Sequence, residues 1–118
     1  MPYSRTVHYE DYEQRIGYVR ARLRLVATDA GGRAAGVMDD YRPNWGIGEH
    51  LSGDALLAGA PITIEDAERL DAGETGFVRL HPISWERWAD VRPGARITMH
   101  EGARIVGVAE VVEVVRRD

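Results

Sequence analysis

The sequence predicts an all-β domain, built as a sandwich or a barrel. Short β-branched segments are separated at regular intervals by turns rich in Gly, Pro and Asp, the spacing of such folds. Ile16–Thr28 (IGYVRARLRLVAT) alternates apolar and charged residues, the period of a strand with one wet face. Arg96–Arg117 reads as a hairpin with its tight turn at Glu101-Gly102, where glycine supplies a positive φ.

The order of elements follows from local chemistry. Residues 1–15 form a polar N-terminal arm with Tyr3, Tyr9 and Tyr12, either a short helical turn or irregular chain whose rings cover a barrel end. Residues 16–118 form the barrel. In Ile16–Thr28, Val19, Ala21, Leu23 and Leu25 face inward, and Arg20, Arg22 and Arg24 form a row about 7 Å apart on the other face. That row reads first as a solvated face balanced by the many carboxylates. Its functional alternative is a stripe for phosphate or for an acidic protein surface.

Asp29–Arg33 is a turn at a Gly pair, and Trp45 and Ile47 begin another strand. Gly48–Ala60 reads as loop, Pro61–Ile64 as a short strand and Glu65–Leu70 as one helical turn. Thr75–Leu80 is a strand running into His81-Pro82. Trp85 and Trp88 share a face if Ile83–Pro93 turns helically, either as a cap over the barrel or as an exposed interface. In the closing hairpin, Ala95–His100 and Arg104–Val115 are the strands. The second is apolar on both parities (Ile105 and Val111; Val106, Val108, Val112 and Val114), which predicts burial on both faces. Helix competes for so short an apolar run, but Gly102, Gly107 and the β-branched residues favour strand.

The 118 residues suit one domain with a single core. No apolar run reaches the roughly 20 residues of a membrane span, and the polar N-terminus predicts no signal peptide. With no cysteine, disulfides and thiolate metal sites are excluded, which fits a cytoplasmic protein. The net charge is −4, so no global basic field draws the chain to nucleic acid. All 15 basic residues are arginine, which excludes a phosphate-loop lysine and a Schiff-base lysine.

Catalytic chemistry finds little footing. His8, His50, His81 and His100 form no metal-binding spacing, and Ser52 lacks a nucleophile-elbow context. No catalytic residue, metal site, cofactor or nucleotide site is predicted.

Three ordered segments carry a resemblance. Asp29-Ala30-Gly31-Gly32-Arg33 followed by Tyr41-Arg42-Pro43, then Leu80-His81-Pro82-Ile83, then Ile97–Gly107 (ITMHEGARIVG) resemble the C-terminal third domain of elongation factor Tu. The resemblance implies a six-stranded antiparallel β-barrel standing alone, without the GTPase domain. It implies contacts to the backbone of a tRNA-like RNA through Arg33, Asn44, His81, Glu101 and Gly102. Ala34 and Ala103 depart from the family pattern, and the stretch between Pro82 and Glu101 is longer.

The expected function is a non-enzymatic binding module for a protein or a structured RNA of the translation apparatus. Arg20, Arg22, Arg24, Trp85 and Trp88 are the expected partner surface. The alternative is a mimic of elongation factor Tu, acting as an immunity or decoy protein against a toxin or regulator. An enzyme working through His81 or His50 is a third reading that no motif supports.

Overall fold

The computed structural model describes residues 5–117, with side chains from Tyr9 onward. Tyr3 lies outside the described residues. The chain is mostly β, with one α-helix, and its main antiparallel sheet curls into a half-barrel. The strands are β1 (Gly17–Leu25), β2 (Val37–Met38), β3 (Asn44–Glu49), β4 (Ala55–Gly59), β5 (Ile62–Ile64), β6 (Arg69–Leu70), β7 (Thr75–Leu80), β8 (Arg96–Glu101) and β9 (Arg104–Arg116). Seven of them form the main sheet in the order β4-β3-β8-β9-β1-β7-β5, and β2 pairs with β6. Among the described residues, no helix is long and apolar enough to cross a membrane.

The period-two reading of β1 places its side chains as the alternation requires. Val19, Ala21, Leu23 and Leu25 are at most 1 % exposed, and the valine and leucine side chains each add about 1.5–3 kcal/mol by leaving water. They meet Trp45 of β3, Val78 and Leu80 of β7, Ile97 and Met99 of β8, and Ala109 and Val111 of β9 in one core. Gly107 of β9 is packed tightly by its two neighbouring strands: a Cβ there would lie 3.0 Å from Leu23 Cδ1 of β1 and 3.3 Å from Met99 Cβ of β8.

Four expectations need correction or refinement. The N-terminal arm is a helix, α1 (Arg5–Arg15), laid over one end of the sheet. Gly48–Ala60 is not all loop, because Ala55–Gly59 pairs with β3 and completes an edge hairpin. Its Ala-Leu-Leu-Ala-Gly run has little strand propensity, and the neighbouring strand supplies the order. Glu65–Leu70 is not helical: Asp66 sits at φ 61, which breaks a right-handed turn, and Arg69-Leu70 joins Val37-Met38. Finally, β9 is not buried on both faces. Ile105 is 46 % exposed and Val112 37 %. Two register shifts, one at Val106 against β8 and one at Val112 against β1, switch which parity points inward. Both apolar parities therefore reach one core from different ends of the strand.

Candidate functional site

The motif residues converge at one rim of the half-barrel. A 3₁₀ turn at Thr28–Ala30 is closed by Gly31 in the left-handed region. A Cβ on Gly32 would lie 2.0 Å from the Val26 carbonyl, so the turn needs glycine there. Thr28 Oγ1 donates to the Arg33 carbonyl at 2.7 Å, and Arg33 Nε donates to the Ala35 carbonyl at 3.1 Å. Held this way, the Arg33 guanidinium lies 4.7 Å over the Tyr41 ring and pairs with the Glu101 carboxylate.

Tyr41 Oη donates to Glu101 Oε2 at 2.7 Å, and Arg104 Nη2 donates to Glu101 Oε1 at 3.2 Å. Burial raises the Tyr41 hydroxyl above its ordinary pKa, although Arg33 and Arg104 work against the rise. Gly102 follows in the β8–β9 turn at φ 62, with open space around its Cα. Asn44 is exposed and pairs with His100, one residue from Glu101. Arg33, Asn44, Glu101 and Gly102 thus share a rim. Within it Arg33 is already engaged by a carboxylate.

His81 does not join them. It is 2 % exposed, stacked on Tyr9 at 4.2 Å and met edge-on by Tyr12. Its Nδ1 lies 3.1 Å from the Pro61 carbonyl and its Nε2 lies 2.7 Å from Glu13 Oε2. Helix α1 covers the ring, so no RNA backbone reaches it in this conformation.

Trp88 is likewise corrected as a partner-surface residue. It is 1 % exposed, within the core, because the 3₁₀ turn Trp85–Trp88 rolls its second ring inward. Trp85 stays partly exposed, donating from Nε1 to Tyr12 Oη at 3.0 Å, with the Arg116 guanidinium over its ring. The pair caps the fold more than it displays a surface.

The arginine row divides. Arg20 is bound by both carboxylate oxygens of Glu65 (2.9–3.1 Å) and covers the Phe77 ring. Glu65 also accepts from Arg79 Nε at 3.0 Å, and Arg79 Nη1 donates to Glu13 Oε1 at 2.7 Å. The chain Arg20–Glu65–Arg79–Glu13–His81 ties β1, the turn after β5, β7 and α1 together. Burial works to raise both glutamates, but their hydrogen bonds outweigh it and hold both below the ordinary carboxylate range.

Arg22 and Arg24 enter no such network. They line a groove of about 1330 Å³ on the outer face of the sheet, together with Arg96 of β8. Arg96, Arg104, Tyr41 and the Glu13–Arg79 link were missed from sequence. Tyr41 lies inside a quoted motif and could have been nominated, whereas Arg96 is found only once β8–β9–β1 register is known.

Compared with models of known protein families the chain matches none, and no curated protein matches it.

Proposed function

We propose that the chain is a non-enzymatic binding module of the elongation factor Tu C-terminal barrel type, and that it holds a structured RNA of the translation apparatus on the Arg33–Glu101 rim. The observation that supports this is contiguity: Arg33, Tyr41 and Glu101 come from three separate segments and meet in one hydrogen-bonded cluster. Arginine and an open glycine turn are suited to a phosphate and a ribose hydroxyl. In this reading β4 and β5 act as one strand broken at Ala60-Pro61, which makes the sheet a six-stranded barrel. Supporting bonds run from Ile62 N–H to the Tyr41 carbonyl (3.0 Å) and from Asp40 N–H to the Ile62 carbonyl (2.8 Å). Slow hydrogen exchange at the Asp40 and Ile62 amides is expected of a closed cylinder, and exchange as fast as in exposed loops argues for an open sheet.

Unfractionated tRNA titrated by fluorescence anisotropy from about 20 to 200 mM salt tests the RNA reading. Binding that weakens with salt, with Arg33→Ala lowering the salt slope by about one, is expected. Absence of binding at the lowest salt removes RNA as the partner. The same contiguity supports a second reading, a decoy for elongation factor Tu, since a mimic must present distant motif residues as one epitope. Capture of a toxin or regulator that is competed away by elongation factor Tu itself is the result expected there.

A further inference from the structure

Among the described side chains, eleven of the fourteen arginines are engaged, by carboxylates, backbone carbonyls or an aromatic ring. The three that are not, Arg22, Arg24 and Arg96, are exposed and line one groove. Pairing explains why they meet. Glu110 at the centre of β9 is opposite Arg22 on one side and Arg96 on the other, so the two arginines are two strands apart. That is about 10 Å, while Arg22 and Arg24 are about 7 Å apart along β1. Three guanidinia against one carboxylate leave a focal charge of about +2 on a chain of net charge −4.

The floor between the arginines is apolar. Val26, Ala27 and Ala30 form one end, and Val108 lies at mid-strand, partly exposed. Together they leave a small apolar strip among the charges on which the apolar side of a bound segment can rest.

We propose that this groove docks an acidic amphipathic helix of another protein. A helix laid across the strands places carboxylates at i and i+7 about 10.5 Å apart along its axis, close to the Arg22–Arg96 separation, with Arg24 to one side along β1. Its apolar side would rest on Val26, Ala30 and Val108. One feature favours a peptide over nucleic acid: no aromatic side chain lines the groove to stack a base. The inference is independent of RNA at the Arg33–Glu101 rim, and its test reads different residues.

The probe is a synthetic helical peptide with glutamate along one face and leucine along the other, titrated into ¹⁵N-labelled protein. The control peptide carries glutamine for glutamate, and a single-stranded RNA oligonucleotide is the third arm. Amide shifts are expected at Arg22, Arg24, Arg96 and Val108 with the glutamate peptide. Arg24→Gln is expected to weaken binding roughly fivefold, and Glu110→Gln to strengthen it, a gain that damage to the fold does not mimic. No binding at millimolar peptide, equal binding of the glutamine peptide, shifts that map elsewhere, or tighter binding of RNA in the groove would each overturn the proposal.

Discussion

Glu13→Ala tests how the N-terminal helix is held. Glu13 accepts from Arg79 Nη1 and faces His81 Nε2, each at 2.7 Å, with His81 almost wholly buried. Arg79 is 36 % exposed at its side chain and keeps Glu65 after the change, so losing that pair costs under about 1 kcal/mol. His81 has no such reserve, and a buried ring nitrogen left without a partner costs about 1–3 kcal/mol. The sum is about 1–4 kcal/mol, a sizeable share of the roughly 6–18 kcal/mol expected for 118 residues. At about 4 °C per kcal/mol for this length, Tm falls by about 4–16 °C at pH 7.

The pH dependence carries the sign. Glu13 is held below its ordinary value of about 4.5, so its contribution is complete above pH 4.5 and is lost as pH falls through the lowered folded value. The Tm difference between wild type and Glu13→Ala, followed by circular dichroism from pH 7 to pH 3, should therefore shrink at the acid end. An equal Tm loss at pH 3 and pH 7 would assign the effect to packing and refute the ionic account. No loss at pH 7 would mean that Glu13 does not fasten the helix.

Trp88→Phe should cost less than Trp45→Phe in chemical denaturation. The Trp88 N–H has no partner among the described residues, whereas Trp45 Nε1 donates to the Ala60 carbonyl at 3.1 Å, so the second change strands a buried acceptor at about 1–3 kcal/mol. Gly107→Val forces side-chain bulk against Leu23 and Met99 and should lower stability by about 1–3 kcal/mol, read from the urea midpoint. Glu101→Gln releases Arg33 and Arg104 from a carboxylate, so tRNA affinity by anisotropy should rise at low salt; a fall would make Glu101 itself an RNA contact.

What sequence could and could not reveal divides along one physical line. β1 was readable because its alternation is local, and its four inward residues are all buried. The meeting of Arg33 with Glu101 was foreshadowed by ordered motifs, though not the ion pair that occupies Arg33. The fates of Arg20, His81 and Trp88 were hidden, because each is decided by an element distant in the chain. Glu65 claims Arg20, helix α1 roofs His81, and a 3₁₀ turn carries Trp88 inward. Exposure of a single residue is a tertiary property, and no spacing rule within one segment contains it.

Strand β9 shows why the apolar pattern itself misled. Enclosure on both faces would account for valines on both parities, but two inserted residues account for them with one core. Counting inward from Ala109 and Val111, strict alternation would send Glu113 into the core. The register shift at Val112 instead turns Val114 inward and leaves Glu113 opposite Arg20, where its charge favours the guanidinium. The cost is a strand whose outer face keeps Ile105, Val108 and Val112 only partly covered. Val108 lies in the same groove as the three disengaged arginines, so the bulges that rescue the core also leave the apolar floor on which a partner can rest.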